Sequence, residues 1–293
     1  MLRTAAALVE LARPLNVAIA ASAILLGARF AFGRADGAAA FDASLALLPA
    51  ALSLLAAGYA WNDVEDAARD ATSHARRPIP SGRVSPRAAR FFAILLFACG
   101  IALVFAPRVG PAARALLFAW AVLLLTYRRI ADRAPALKGV VASALTASAL
   151  LLGASTGPSP RAALFPALFA FLLTWLRELV KDLADRDGDR AVGRPTWADA
   201  LVPARTRAIL RAAAGALLVL IPLPAVFLGY GSLYLAMAAA GVGVTLLLLC
   251  IGAPRLVPDR GDADPATLAR ASRLLKVSMV AGLFALYLGG NTR

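Results

Sequence analysis

Apolar and polar positions alternate along the chain in long blocks, so that hydrophobic runs are separated by polar connections. Each run approaches the ~20 apolar residues that an α-helix needs to cross the hydrocarbon core of a bilayer. The nine runs are residues 14–33, 43–61, 89–106, 112–127, 139–156, 162–180, 208–229, 232–252 and 273–290. The pattern predicts an all-α, polytopic membrane protein with nine transmembrane helices, in which residues 1–293 form a single integral membrane domain.

The composition supports membrane insertion and excludes several classes of protein. Hydrophobic residues make up 60% of the chain, charged residues only 16%, and the mean hydropathy is +0.73. These values exclude an ordinary soluble domain. The single histidine, His74, argues against a His-rich metal site. Cys99 and Cys250 lie inside apolar runs, so the sequence does not support a disulfide scaffold.

Basic residues are distributed unevenly among the connections. The formal net charge is +14, which in a soluble protein would suggest nucleic acid as a partner. If the N-terminus and every second connection share one side of the membrane, that side has 25 of the 31 Lys and Arg residues. This positive-inside pattern predicts a cytoplasmic N-terminus in the cell membrane, with membrane lipid and not nucleic acid as the partner of the charge. The longer connections are then cytoplasmic, and we expect the active site on that side.

Acidic residues are scarce and clustered. Nine of the 17 lie in two short stretches, which follow the second and the sixth apolar run. They are Asp63, Glu65, Asp66, Asp70, Glu178, Asp182, Asp185, Asp187 and Asp189. Both stretches contain the spacing D-x-x-D-x-x-x-D, at residues 63, 66 and 70 and again at residues 182, 185 and 189. The shared spacing indicates an internal repeat of about four spans.

The spacing of each Asp trio has a chemical consequence. Positions i, i+3 and i+7 of a helix lie on one face, so each trio is predicted to form a carboxylate stripe over two turns. Like charges so close at the end of a membrane helix are costly unless cations compensate them. Mg²⁺ commonly binds through one or two carboxylates plus substrate phosphate oxygens. Two facing stripes would hold a diphosphate between metal ions; for one trio alone, a solvated helix end is the alternative.

A prenyl diphosphate suits such a site. Metal ions neutralise charge on the departing diphosphate, and an apolar helix bundle shelters the carbocation from water. Arg76, Arg77 and Arg83, in the loop after the first trio, are candidates for further phosphate contacts. The alternative for these arginines is a positive-inside anchor.

Other polar residues near the predicted span ends have two interpretations each. Asn62 caps the helix or binds the metal and substrate, and Asn16 binds substrate or hydrogen-bonds a neighbouring helix. Tyr127 contacts the diphosphate or anchors its span at the interface. Lys181 is a substrate-binding candidate, with an i,i+3 ion pair to Glu178 as the alternative.

Two stretches resemble the signatures of a known family. Residues 62–70, Asn-Asp-Val-Glu-Asp-Ala-Ala-Arg-Asp, and 77–85, Arg-Pro-Ile-Pro-Ser-Gly-Arg-Val-Ser, resemble the first signature of the UbiA superfamily of intramembrane prenyltransferases. Residues 177–190, Arg-Glu-Leu-Val-Lys-Asp-Leu-Ala-Asp-Arg-Asp-Gly-Asp-Arg, resemble its second signature. The second is most similar to the versions in geranylgeranylglycerol-phosphate geranylgeranyltransferases and chlorophyll synthases.

The resemblance covers essentially the full chain and implies nine transmembrane helices around a central cavity. It also implies that both Asp motifs bind Mg²⁺ and the prenyl diphosphate. The residues at the matching positions are Asn62, Asp63, Asp66, Asp70, Asp182, Asp185 and Asp189. The family's lysine after the fourth-span tyrosine is not matched in register, which leaves Arg128, Arg129 or Lys138 as substitutes.

Together these features predict an Mg²⁺-dependent prenyltransferase. It is expected to move a prenyl group such as geranylgeranyl from its diphosphate to a lipophilic or glycerophosphate acceptor, with Asp63, Asp66, Asp185 and Asp189 as catalytic carboxylates. An aromatic quinone or chlorin precursor is the alternative acceptor. A membrane cation transporter is the alternative class, but it favours acids midway along a helix, whereas these lie at span ends.

Overall fold

A computed structural model describes residues 2–33, 36–191, 193, 197–261 and 263–289. All regular elements in these ranges are helices, which confirms the all-α prediction. The α-helices are α1 (Leu2–Leu11), α2 (Pro14–Phe32), α3 (Gly37–Glu65), α4 (Ala67–Ser73), α5 (Pro86–Val104), α6 (Pro111–Arg133), α7 (Pro135–Ala154), α8 (Leu164–Ala191), α9 (Pro203–Leu220), α10 (Leu223–Phe227), α11 (Ser232–Ala238), α12 (Val244–Leu256) and α13 (Pro265–Gly289). Two 3₁₀-helices, Pro160–Ala163 and Trp197–Ala200, and a π-helix, Ala239–Gly243, complete the set.

Eight helical segments in the described part of the chain are long and apolar enough to cross a membrane. They are Pro14–Phe32, Gly37–Glu65, Pro86–Val104, Pro135–Ala154, Pro160–Arg186, Pro203–Phe227, Ser232–Leu256 and Pro265–Gly289. Large apolar side chains on these segments face outward, as a lipid-facing surface requires; Phe91 and Ile251, for example, are 69% and 76% exposed.

The fourth predicted span corresponds to α6, a 23-residue helix that is not among the eight. Its apolar middle is flanked by Arg114 near the start and by Arg128, Arg129 and Arg133 towards the end, which lowers its overall hydropathy. Nine membrane spans therefore stay a prediction.

Prolines and a capping serine determine where several helices begin. Pro14, Pro86 and Pro203 occupy the first turns of α2, α5 and α9, where a backbone N–H would have no partner within the helix. The Ser85 hydroxyl caps α5 because it accepts a hydrogen bond from the Ala88 backbone N–H at 3.2 Å. The start of α2 at Pro14 agrees with the predicted run, whereas α5 and α9 begin before the predicted residues 89 and 208.

Helix α13 begins at an acidic cap. The Asp264 carboxylate accepts hydrogen bonds from the Thr267 hydroxyl at 2.8 Å and from the backbone N–H groups of Thr267 and Ala266 at 3.0 and 3.1 Å. The bond from the Thr267 hydroxyl, followed by that from the Ala266 N–H, stabilises the ionised form and holds the pKa of Asp264 below its ordinary value. Asp264 is thus an exposed carboxylate stabilised by local donors.

The chain forms two compact units. The first contains Met1–Arg133 and Ser148–Ala163, and the second contains Ala134–Ala147 and Leu164–Arg293. Helix α7 therefore contributes residues to both. The two Asp motifs, 63–70 and 182–189, belong to different units.

In the first unit, α3 packs against α2, α5 and α6, and α1 lies against α3 and α5. A buried apolar cluster joins α1, the end of α3, the loop after α4 and the start of α5. Its members are Ala7, Leu11, Ala60, Ile79, Val84, Ala89 and Ala93. Because Ala60 lies one turn before Asp63, this cluster fixes the helix end that positions the first carboxylate.

Helix α2 and the last turns of α7 approach each other closely at two glycines. A Cβ atom on Gly27 would clash with the Leu150 carbonyl, and one on Gly153 would clash with the Ile24 carbonyl. The missing side chains allow the two backbones to come together, as is common between membrane helices. This crossing belongs to the first unit.

In the second unit, α8 packs against α9 and α13, and α12 packs against the same two helices. The π-helix is tied to α13 by Ser278, whose hydroxyl donates to the Gly241 carbonyl at 2.9 Å and lies 2.9 Å from the Thr245 hydroxyl. Such interhelical hydrogen bonds satisfy polar groups within an apolar bundle.

Candidate active site

The first carboxylate set lies at a helix junction. Asp63 is in the last turn of α3, Asp70 is in α4, and Asp66 lies between the two helices with φ −90° and ψ 0°. The prediction of one continuous stripe is therefore wrong for this trio. Aspartate competes poorly as an interior helix residue, which lowers the cost of a break at Asp66, although the same Asp spacing on α8 is uninterrupted.

Burial differs within the first set. Asp63 is 6% exposed and Asp70 is fully buried, whereas the Asp66 side chain is 17% exposed. Charged carboxylates at such depth require cations or hydrogen-bond donors to compensate their lost hydration.

Arginines supply that compensation for the first set. The Arg13 guanidinium donates to Asp63 at 2.5 Å, and Arg77 donates to Asp70 at 2.5 Å and lies 3.9 Å from Asp63. The first set is therefore held by arginines from outside its own helices.

Two further basic residues reach the same carboxylates. Arg128 of α6 pairs with Asp66, and the His74 Nδ1 atom lies 3.6 Å from an Asp70 oxygen. The sequence predicts Arg77 as a phosphate contact and Arg128 as one substitute for a missing lysine, but it does not predict the pairing of Arg128 with Asp66. An ion pair between residues 62 positions apart leaves no local sequence pattern from which it could be predicted.

Arg13 was missed as a site residue although its geometry is distinctive. It is the only non-glycine residue in the described ranges with a positive φ, at 52° with ψ 65°. Its guanidinium carbon lies 5.1 Å from the Tyr59 ring centroid, a cation–π distance. Left-handed backbone is unfavourable for arginine, so the packing around Arg13 must offset that cost. The Arg13-Pro14 dipeptide before the first span was the available signal.

Asn62 contributes a second kind of oxygen to the first set. Its Oδ1 atom is buried and has no hydrogen-bond partner in the structure. Since a buried amide oxygen without a partner is costly, this atom is suited to accept a ligand. Asn62 was predicted as a site residue because it is polar, directly precedes Asp63 and matches the family's first signature.

Arg83, in the loop between α4 and α5, makes contacts outside the first carboxylate set. Arg83 donates to the Glu10 carboxylate at 2.6 and 3.1 Å and to the Arg76 carbonyl at 2.7 Å. The hydrogen bond to Glu10 raises the pKa of Arg83. Arg83 therefore ties the loop to α1, while the Arg76 side chain is exposed. These contacts of Arg83 are made with Glu10 and with the Arg76 backbone, and not with the carboxylates of Asp63, Asp66 or Asp70.

The second carboxylate set lies on one continuous helix, as predicted. Asp182 is 4% exposed and accepts a bond from the Lys138 Nζ atom of α7 at 2.7 Å. Asp185 is half-buried in the following turn. Asp189 also belongs to α8, but its side chain lies outside the described part of the chain, as does that of Asp187.

Glu178 lies one turn before Asp182 and is 5% exposed. Its carboxylate accepts from Arg177 at 2.8 Å and lies 3.6 Å from the Lys181 Nζ atom. The predicted ion pair between Glu178 and Lys181 is confirmed. The substrate-binding roles of Lys181 and Lys138 stay predictions.

Asn16 and Tyr127 are half-buried in α2 and α6. Both belong to the first unit, as does the first carboxylate set. Their predicted roles in substrate binding rest on the sequence.

The donors present fit Mg²⁺. Among the described residues, no three His, Cys, Asp or Glu side chains converge closely enough to hold a metal ion by themselves. Mg²⁺ commonly needs only one or two protein carboxylates, because substrate phosphate oxygens and water complete its shell. The buried Asp63 and Asp70 carboxylates and the Asn62 oxygen are donors of the type that Mg²⁺ prefers.

Several helices are long and apolar enough to cross a membrane, and buried carboxylates towards helix ends pair with basic side chains. These features define the class of the protein as a multi-pass membrane protein with an acidic site at its helix ends. The family model described as the UbiA prenyltransferase family matches residues 20–273. The chain belongs to the UbiA prenyltransferase family, which confirms the resemblance seen in its two Asp signatures.

Individual relatives are similar over nearly their full lengths. A digeranylgeranylglyceryl phosphate synthase from Methanopyrus kandleri is 37% identical over 281 residues, which cover 95% of this chain and 97% of that protein. A second, from Hyperthermus butylicus, is 32% identical and covers 96% of both chains. The helical fold is also similar to a solved structure of a digeranylgeranylglyceryl phosphate synthase in membranes, with a TM-score of 0.73, 22% identity and 98% coverage of both chains.

Proposed function

We propose that this protein transfers a geranylgeranyl group from its diphosphate to a glyceryl phosphate acceptor that already has one such group, with release of pyrophosphate. The observation that carries the proposal is the 37% identity, over 95% of the chain, to a digeranylgeranylglyceryl phosphate synthase. A product with two geranylgeranyl groups requires an acceptor with one when the last group is added. Buried aspartates at two helix regions supply the carboxylates that such a reaction needs.

The six motif aspartates are the proposed Mg²⁺ ligands. They are Asp63, Asp66, Asp70, Asp182, Asp185 and Asp189. When bound, Mg²⁺ supplies positive charge that stabilises the departing diphosphate. The choice of Mg²⁺ is supported by the oxygen donors of the first set, including the Asn62 Oδ1 atom.

The basic and polar candidates predicted from the sequence are the proposed substrate contacts. They are Asn16, Asn62, Arg76, Arg77, Arg83, Tyr127, Lys138 and Lys181. The strongest support is for Arg77 and Lys138, which pair with Asp70 and Asp182 at 2.5 and 2.7 Å. If those carboxylates held a metal ion, the Arg77 guanidinium and the Lys138 ammonium could donate to diphosphate oxygens.

The proposed reaction balances without an additional reactant. The bond between C1 of the prenyl chain and the diphosphate oxygen breaks, and the acceptor hydroxyl oxygen bonds to C1. The hydroxyl proton is released, and the diphosphate leaves with both electrons of the broken bond. Apolar side chains of the membrane helices exclude water, which would otherwise capture the allylic cation.

We also propose that the N-terminus and the active site are cytoplasmic. The support is the distribution of basic residues, since 25 of the 31 Lys and Arg fall on one side of the alternating topology. Cysteine labelling from each side of sealed vesicles tests this orientation, with single cysteines placed at Arg76 and Arg108 in a variant that lacks Cys99 and Cys250. Labelling of both new positions from the same side would contradict it.

The acceptor is tested with the purified protein in detergent or nanodiscs. Radiolabelled geranylgeranyl diphosphate is supplied with Mg²⁺ and, separately, with geranylgeranylglyceryl phosphate, a quinone precursor or a chlorin precursor. We expect transfer to the glyceryl phosphate, stoichiometric pyrophosphate release and no turnover in EDTA. Preferential transfer to the quinone or chlorin precursor would replace the proposed acceptor, and cation flux without pyrophosphate release would indicate a transporter.

A further inference from the structure

A short 3₁₀-helix after the second Asp motif makes contacts that no motif predicts. This helix, Trp197–Ala200, packs against α8 in the second unit. Its Asp199 carboxylate lies 2.7 Å from the Arg186 Nε atom and 2.5 Å from an Arg190 guanidinium nitrogen. One carboxylate oxygen, Oδ1, receives both contacts.

The Asp199 pairings are partly shielded from solvent. The Asp199 side chain is 13% exposed, and those of Arg186 and Arg190 are 30% and 47% exposed. Ala198, the neighbour of Asp199, is 3% exposed, so the 3₁₀-helix is seated against its surroundings. A partly buried carboxylate that receives two guanidinium groups is held more firmly than a solvated surface pair.

The two arginines lie next to aspartates of the second motif on α8. Arg186 directly follows Asp185 and lies four residues after Asp182, so that Asp182 and Arg186 share one helical face. An acidic residue four positions before a basic one is the favourable order for an ion pair within a helix. Without another partner, Arg186 would compete with a metal ion for the Asp182 and Asp185 carboxylates.

We infer that Asp199 is a positioning residue that holds Arg186 and Arg190 away from the α8 carboxylates and thereby keeps those carboxylates available to a divalent cation. The inference rests on the proposed function of Asp182 and Asp185 as Mg²⁺ ligands. Asp199 itself lies outside both Asp motifs, and its inferred effect on the cation acts through its contacts with the two arginines.

The test compares Asp199→Asn with the full-length wild-type protein in detergent micelles. The first readout is Mn²⁺ binding in the presence of inorganic pyrophosphate, followed by electron paramagnetic resonance without turnover. We expect Asp199→Asn to weaken Mn²⁺ binding about twofold, the effect of one competing helical ion pair. The Mg²⁺ concentration for half-maximal prenyl transfer should rise by the same factor, with little change in the maximal rate.

A suppressor variant separates this role from a merely structural one. Replacing Arg186 and Arg190 by Gln in the Asp199→Asn background removes the competing charges and should restore Mn²⁺ binding to near the wild-type value. Asp199→Glu, which keeps the charge, should also bind Mn²⁺ nearly as the wild type does. A purely structural defect at Asp199 would not be repaired by removing two more charged side chains.

The outcomes distinguish the positioning role of Asp199 from the proposed prenyl transfer. Unchanged Mn²⁺ binding by Asp199→Asn, or no recovery in the triple variant, overturns the inference while leaving the proposed function intact. Wild-type protein that binds Mn²⁺ but transfers no prenyl group overturns the proposed function and leaves the positioning role standing. Wild-type protein that binds no Mn²⁺ overturns both.

Discussion

The two Asp motifs have the same spacing but different local structures. In the first, a helix junction at Asp66 separates Asp63 from Asp70. In the second, residues 182–189 lie on the single helix α8. The first set is paired with arginines from the connection between α1 and α2, from α6 and from the loop after α4, whereas Asp182 is paired with a lysine of α7, Lys138. Identical spacing therefore does not determine an identical arrangement of carboxylates.

The difference has an energetic consequence. Arg13 and Arg77 each reach Asp63, and Arg77 also reaches Asp70, so the first set is a network of shared ion pairs. Removing one member of a buried network leaves its partners without compensation. The aspartates of the first motif should thus support the fold as well as the chemistry, and those of the second should support it less.

The largest expected effect on stability is that of Asp63→Ala. It leaves Arg13 without its 2.5 Å partner, whereas Arg77 keeps Asp70, and because both guanidinium groups are partly exposed it should reduce the free energy of unfolding by about 3 kcal/mol, the lower end for a broken buried pair. The same change at the half-buried Asp185 should cost under about 1 kcal/mol. Thermal unfolding of both variants in the same detergent measures the contrast, and equal losses would remove the proposed difference between the motifs.

The next effect concerns the arginines. Arg77→Gln removes the cation from Asp70 and weakens the support of Asp63, so it should cost about 2–3 kcal/mol. Arg13→Gln should cost less, because Arg77 remains 3.9 Å from Asp63. Chemical or thermal unfolding tests the ranking. If Arg13→Gln proved the more damaging variant, the contacts of Arg13 with Asp63 and the Tyr59 ring would contribute more to stability than those of Arg77.

A smaller effect is expected in the second motif. Lys138→Met removes the 2.7 Å partner of Asp182 and should cost about 1–3 kcal/mol. Lys138→Arg keeps the charge and serves as the matched control. Similar stability of Lys138→Met and the wild-type protein would mean that Asp182 finds another donor, such as Lys181.

The smallest effect is expected at Asp264, a carboxylate outside both motifs. Because its folded-state pKa is lowered, Asp264 contributes stability above its unfolded pKa and loses it as the pH falls through the folded value. Wild-type protein should therefore lose slightly more stability on acidification than Asp264→Ala does. Thermal scans of the two proteins between neutral and acidic pH measure the difference; parallel curves would show that the cap contributes nothing.

Much of the fold could be predicted because membrane helices leave a strong local signal. All nine apolar runs correspond to helical segments, although the helices continue beyond them; α3 starts at Gly37 and not at residue 43, for example. Polar residues at span ends remain helical because the backbone hydrogen bonds continue there. Asp63, Asp182 and Glu178 could be singled out because acids are rare in this chain.

The rest depends on contacts between residues that are distant in sequence. The interruption at Asp66 and the pairings of Arg13, Arg128 and Lys138 come from tertiary packing, which spacing does not encode. Asp199 was also missed, because it belongs to neither motif and pairs with arginines that otherwise fit the positive-inside pattern.

The most direct test of the central claim, that both motifs serve one Mg²⁺-dependent prenyl transfer, is single-turnover transfer by two conservative variants. Asp63→Asn and Asp185→Asn should each reduce the rate by at least ~100-fold, since each removes a carboxylate proposed to hold the Mg²⁺ whose positive charge would stabilise the leaving group. Asp42→Asn, at an exposed position of α3, is the matched control and should keep the wild-type rate. A wild-type rate in either Asp63→Asn or Asp185→Asn, with the variant correctly folded, would contradict the claim.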